Sequence, residues 1–208
     1  MSDKVKVLHA ITRLDRGGSS ENTLLSAIGL AKKGYKVDVL FGRTEDAHVG
    51  FLKEARELGV EFIEEEDLVR DIHPVKDLTA YNQITRYLKD NHYDIVHTHS
   101  SKAGLICRLA AKRAGVKVIL YTPHGHVFYG YFGGALTRAI IMAESLVARF
   151  TDRIIGLTPA ECEEWLERGI GRQGQYIAIP SGLDFKLMED QAYADRDLKQ
   201  ELGIPREH

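Results

Sequence analysis

Cysteine is scarce in this chain: Cys107 and Cys162 are the only two in 208 residues. That number excludes a disulfide-built scaffold, and a chain of this length buries enough apolar surface to need no staple. Charge of one sign is not in excess either. Lysine and arginine number 28 against 30 acidic residues, a formal net charge of −2, which argues against a surface given over to gripping nucleic acid. No apolar run approaches membrane-spanning length, and Met1-Ser2-Asp3-Lys4 leads straight into a strand-like run. Neither a spanning helix nor a signal peptide is therefore expected, and the expected location is cytoplasmic. The Gly-x-Gly-x-x-Gly dinucleotide fingerprint and the Gly-Lys-Ser/Thr ending of a P-loop are missing, which argues against NAD, FAD and P-loop ATPase chemistry. Internal repeats and low-complexity tracts are missing as well.

What is present is alternation. Short runs rich in Val and Ile, bounded by Gly, Pro, Asp or Ser, read as strands at 5–11, 37–41, 60–63, 94–98, 116–122, 153–157 and 176–179. Between them lie stretches of helical periodicity at 20–33, 51–58, 77–91, 101–114, 136–150 and 160–168, with a last one at 195–202. Several stop at a glycine (Gly34, Gly59, Gly115, Gly169), and Pro159 stands where proline opens a helix. Strand–helix alternation predicts an α/β, doubly wound, Rossmann-like domain: a mainly parallel sheet of about seven strands with helices on both faces. The expected division is one domain over 1–185 and a tail or interdomain linker over 186–208. The stretch 136–150 has only two basic residues and one acid, which suits a core-covering helix better than one lying on a membrane surface.

Ligands in such folds bind beyond the carboxyl ends of the strands, so the loops there carry the search. After the first strand comes Thr12-Arg13-Leu14-Asp15-Arg16-Gly17-Gly18-Ser19-Ser20-Glu21-Asn22. Gly17 and Gly18 allow close approach of backbone to ligand, and the helix that starts beside them turns free amides and a positive dipole end to the same place. A phosphate fits there; so does a tight turn with a serine cap and no ligand. His97-Thr98-His99-Ser100-Ser101-Lys102 ends the fourth strand. His97 and His99 share a strand face, and with His124 or His126 they make either a metal set or a group of hydrogen-bonding side chains, with Ser100 and Ser101 capping the helix. Lys102 faces an anion or solvent. The loop after the fifth strand, Tyr121 to Gly134, mixes glycines with His124, His126, Phe128, Tyr129 and Phe132, the composition of a mobile acceptor loop or of an aromatic cover over the sheet.

Six stretches in order resemble one family. They are Gly17-Gly18-Ser19-Ser20-Glu21-Asn22-Thr23-Leu24, then Arg70 to Leu78, Asp94 to Gly104, and Thr122-Pro123-His124-Gly125-His126. Glu144 with Thr151-Asp152-Arg153-Ile154-Ile155 follows, and Ser181-Gly182-Leu183-Asp184 comes last. Together they resemble the N-terminal, acceptor-side domain of retaining glycosyltransferases of group 1, also called family 4, which have the GT-B fold.

The resemblance implies transfer of a sugar from a nucleotide-sugar donor to a glycan or lipid-linked acceptor, with retention of configuration and no bound metal or other cofactor. It implies that Gly17, Gly18 and Ser19 face the donor phosphates and sugar. His124 lies at the reaction centre, and His99, Ser100, Lys102, His126 and Tyr129 stand near the acceptor or behind it. A role in building glycans of the cell envelope and peripheral contact with the inner face of the cell membrane are implied as well. Two serines separate Gly18 from Glu21, unlike the commonest family loop, which leaves the role of Glu21 open. No second Rossmann-like domain with the family's donor-binding residues follows residue 185, so a partner domain is expected for activity. Competing readings are a metal-dependent sugar deacetylase or hydrolase built on His97, His99 and His124, a non-catalytic subunit that pairs with a separate donor domain, and a nucleotide-sugar epimerase.

Overall fold

The computed structural model describes residues 4–125 and 133–183. His126, Tyr129 and the aromatic part of their loop lie outside the described residues, as do the helix expected at 195–202 and the whole segment 186–208.

Among the described residues, seven strands and six helices alternate. The strands are β1 (Lys6–Ile11), β2 (Lys36–Phe41), β3 (Glu61–Glu64), β4 (Ile95–His99), β5 (Val118–Thr122), β6 (Arg153–Gly156) and β7 (Tyr176–Ala178). The helices are α1 (Gly18–Lys32), α2 (Val49–Glu57), α3 (Pro74–Asn91), α4 (Ser101–Ala114), α5 (Gly134–Ala148) and α6 (Pro159–Glu167). The strands form one sheet in the order β3-β2-β1-β4-β5-β6-β7, and every pairing is parallel. The doubly wound α/β expectation is met.

Alternation along β1 explains the two-faced core. Leu8 and Ala10 point to one face, where residues of α3 and α4 such as Ile84, Leu88, Ile106 and Ala110 pack on them. Val7 and Ile11 point to the other, against Leu24, Ala27 and Ile28 of α1 and Phe51 of α2. A third cluster of Tyr121, Ala148, Ile154, Trp165 and Ile170 closes the β5–β7 end.

Some boundaries moved from the sequence reading for local reasons. Helix α3 starts at Pro74 rather than Asp77: proline suits the first helical position, and the His73 ring nitrogen accepts from the Lys76 amide at 3.3 Å. Helix α5 is a larger departure. A core-covering helix was expected, yet only Glu144, Val147 and Ala148 are buried, while Leu136, Met142 and Leu146 are exposed. Its carboxyl-terminal half packs on the sheet; its amino-terminal half fronts a cleft instead.

A buried ion pair ties the carboxyl-terminal half in place. Arg108 on α4 and Glu144 on α5 meet at 2.5 Å with both side chains almost wholly buried. The guanidinium also donates to the Gly104 carbonyl at 2.6 Å and stacks 3.7 Å from the Tyr121 ring centre. This satisfies the charge where water cannot, so Glu144 serves the scaffold.

Candidate functional site

The strand order reverses direction between β1 and β4, and the connections from these two strands leave to opposite faces. A crevice opens at such a point. Here it is a cavity of about 630 Å³. Thr12, Arg13 and Ser19 line it from the β1 side, Ser100, Lys102 and His124 from the β4 and β5 ends, with Arg70 at the rim. Ile72, Leu105 and Ile140 form an apolar flank. A second cavity of about 610 Å³, lined by Lys6, Lys36 and Asp94 among others, lies at the amino-terminal edge of the sheet, where these folds do not place ligands.

The first wall is the β1–α1 loop. Helix α1 begins at Gly18, with Gly17 as its N-cap and, among the described residues, no side chain capping its free amides. The hydroxyl of Ser20 donates back to the Asp15 and Gly17 carbonyls at 2.6 and 2.9 Å, so it shapes the turn rather than capping it. Asp15 anchors the loop by accepting from the Glu45 and Asp46 amides at 2.8 and 3.0 Å. The Asn22 amide reaches Ser181 at 3.1 Å, which brings the first and last of the six matching stretches together. Glu21 faces the His48 ring at 3.5 Å.

The second wall holds two strained residues. Ser100 has φ 63° and ψ 162°, a region almost reserved for glycine, and His124 has φ 57°. Contrary to expectation, neither Ser100 nor Ser101 caps α4. Thr12, from β1's end, does so across the crevice: its hydroxyl accepts from the Ala103 amide at 3.1 Å and pairs with the Ser100 hydroxyl at 2.9 Å. Lys102, expected to face an anion or solvent, is held by Asp77 at 2.5 Å and by the Asp71 carbonyl at 2.8 Å.

Behind the cleft lies a row of imidazoles. His9 Nδ1 meets His99 Nε2 at 2.9 Å, and His99 Nδ1 meets His124 Nε2 at 2.9 Å. His97 stands beside them, 4.1 Å from His99 between ring centres, and bonds the Thr122 hydroxyl at 2.8 Å. Burial pushes His9 and His124 down to about 4. Burial also lowers His97 and His99 well below the ordinary imidazole range, and the neighbouring histidines add to it. All four are neutral at pH 7. Nitrogens of His9, His97 and His99 lie within 4.8 Å of one another, a spacing a metal could use.

The structure thus gathers Ser19, Ser100, Lys102 and His124 around one cavity and puts His99 directly behind His124, while Gly17 and Gly18 precede Ser19 in the chain without lining the cavity themselves. Sequence reasoning passed over His9, and it gave Thr12, Arg13 and Arg70 no role of their own although they lie in stretches it singled out. His9 was readable as a polar residue inside an apolar strand. Thr12 was not readable, because its partners lie about 90 positions away.

A family model described as "Glycosyl transferase 4-like domain" matches residues 17–182. The chain is 33% identical over 140 residues to an Escherichia coli UDP-Gal:alpha-D-GlcNAc-diphosphoundecaprenol alpha-1,3-galactosyltransferase, covering 67% of this chain and 36% of that protein. A glycosyltransferase structure from Rickettsia africae superposes with a TM-score of 0.66 at 16% identity, covering 98% of this chain and 50% of the other. The Anabaena HepE structure with UDP and glucose gives 0.65 at 18% identity, covering 96% and 50%. The chain spans about a third to a half of the length of these proteins. The two structures share its fold.

Proposed function

The chain belongs to the glycosyl transferase 4-like domain family, and on that premise we propose that it is the acceptor-side half of a glycosyltransferase. It moves a sugar from a nucleotide-sugar donor to a glycan or lipid-linked acceptor with retention. The donor class is supported by the uridine-diphosphate galactose in the bacterial relative's name, and the lipid-linked acceptor by its diphosphoundecaprenol. One observation carries the reading: the uncapped start of α1 and the strained His124 converge on one cavity at the sheet's switch point.

Transfer breaks the bond from the anomeric carbon to a diphosphate. The transition state pairs an oxocarbenium-like sugar with a departing anion, and preorganised donors aimed at that anion supply most of the rate. The Gly18 and Ser19 amides are such donors at the positive end of a helix. His124 orients the sugar. The leaving phosphate takes the proton of the acceptor hydroxyl, so no side-chain base is required. Lys102, neutralised by Asp77, shapes the acceptor side more than it attracts an anion. His126 and Tyr129 belong to the same acceptor loop. We propose residues 1–185 as the acceptor domain, 186–208 as the start of a linker, and a donor-binding domain as the partner. The place of action is the cytoplasm, at the inner face of the cell membrane where the acceptor is lipid-linked; among the described residues no helix is long and apolar enough to cross a membrane.

A metal-dependent hydrolase is the competing reading. The four facing nitrogens of the His9–His99–His124 row are already engaged with one another, which supports chemistry without a resident metal. The test is a transfer assay with UDP-galactose and a GlcNAc-diphospholipid, using residues 1–208 alone and joined to a donor-binding domain, with and without chelator. Turnover by the joined protein only, unchanged by chelator, is expected. Robust turnover by residues 1–208 alone would overturn the half-site reading, and loss on chelation would overturn the metal-free one.

A further inference from the structure

The histidine row has a direction, and proton counting fixes it. Three neutral imidazoles carry three N–H groups. The two N···N contacts, His9 to His99 and His99 to His124, each need one proton. His99 sits in both contacts and has one proton, so it donates at one side and accepts at the other. Two arrangements remain. In the first, every ring is protonated on Nδ1: His9 donates to His99, His99 donates to His124, and the third N–H is His124 Nδ1. In the second, every ring is protonated on Nε2, donation runs the other way, and the third N–H is His9 Nε2.

The two ends are not equivalent. His9 is fully buried, and its Nε2 has no hydrogen-bond partner among the described residues. A proton there is an orphaned buried donor, and orphaned buried N–H groups are rare in proteins. At the other end, His124 lines the cavity, where a polar ligand can receive its proton. Lone pairs tolerate isolation better than N–H groups do, so the first arrangement wins. Shuttling a proton along the row would also require delivery to His9 Nε2 through the packed β1 core, so the row does not invert.

We propose that His9 and His99 are positioning residues that lock His124 as a neutral Nδ1–H tautomer, which gives the cleft a hydrogen-bond donor and not a base. The ligand class that fits is an uncharged or anionic oxygen: a sugar hydroxyl or a phosphate oxygen. The meaning for transfer rests on the reading given under Proposed function; the tautomer itself does not. It also agrees with the missing general base, because a His124 locked in this way has its only basic nitrogen, Nε2, already accepting from His99.

The test is long-range nitrogen–proton correlation NMR of the chain labelled at histidine, which separates protonated from bare ring nitrogens by their widely different shifts. Three proteins are compared at pH 7: wild type, His9→Asn, whose amide still offers a donor to His99, and His9→Leu, which offers none. In wild type and His9→Asn, His124 is expected to be more than about tenfold in favour of Nδ1–H. In His9→Leu, a mixture of both tautomers is expected at His99 and His124. Wild-type His124 protonated on Nε2, or a doubly protonated His99, would overturn the proposal; so would an unchanged His124 tautomer in folded His9→Leu. If His9→Leu does not fold, wild type and His9→Asn still decide the matter. A locked tautomer together with no transfer activity in the joined protein would sink the glycosyltransferase reading and leave the row intact.

Discussion

Acidification tests the neutral histidine cluster directly. His9 is fully buried and has a pKa of about 4 in the fold, against an ordinary value of 6.5. The unfolded chain therefore binds more protons than the folded one between those values, so stability must fall as pH falls. The contribution is complete above 6.5 and is lost progressively on the way down to about 4. For one such group, moving from pH 7 to pH 5 removes about 2 kcal/mol. His124, also near 4, removes a similar amount. His97 and His99 act in the same direction. The loss is then about 4 kcal/mol or more, set against a typical domain stability of ~5–15 kcal/mol. Few other groups interfere. Asp94, held below its ordinary value by the Lys6 amide, releases its contribution at lower pH. Glu65, raised by burial, has the opposite sign and offsets part of the loss as pH falls toward its raised range. Urea titrations at pH 7, 6 and 5 measure this, followed by the fluorescence of Trp165, the only tryptophan and a fully buried one. His9→Asn should flatten the pH dependence by about 2 kcal/mol over the same span. Equal wild-type stability at pH 7 and pH 5 would refute the reasoning, because four neutral imidazoles, two of them fully buried, cannot be indifferent to protons.

Two further outcomes are expected. Glu144→Leu leaves the Arg108 guanidinium buried without its carboxylate and should cost about 3–5 kcal/mol in urea titration, most of it recovered when Arg108→Met is added; an additive double variant would contradict the pairing. Ser100→Gly and Ser100→Ala both lose the hydroxyl bond to Thr12, but only glycine relaxes φ 63°, so the glycine variant should be the more stable by about 1 kcal/mol or more, and the reverse order would show that the strain is not there.

The fold was legible because its signals are local. Strand runs, glycine stops and Pro159 follow from backbone preferences within a few residues, and the parallel sheet follows from their alternation. The cleft was legible only as a set of loops. That Thr12 would cap α4, or that His9 would back His99, depends on β1 and β4 being neighbours, and adjacency of strands some 90 residues apart is written nowhere in either segment. Lys102 failed as an anion candidate for the same reason: Asp77 reaches it from another helix. The exposed apolar side of α5 was misread because periodicity reports a greasy face without saying what that face meets.

The reversal of strand order between β1 and β4 separates inheritance from invention. The crevice exists because two connections part company there, and no substitution in a loop can close it. What enters the crevice is decided by a handful of residues at the strand ends, most of them on segments that carry no sheet hydrogen bonds. Such a molecule can change its ligand without renegotiating its fold, and the row behind His124 stays in place whatever newcomer arrives.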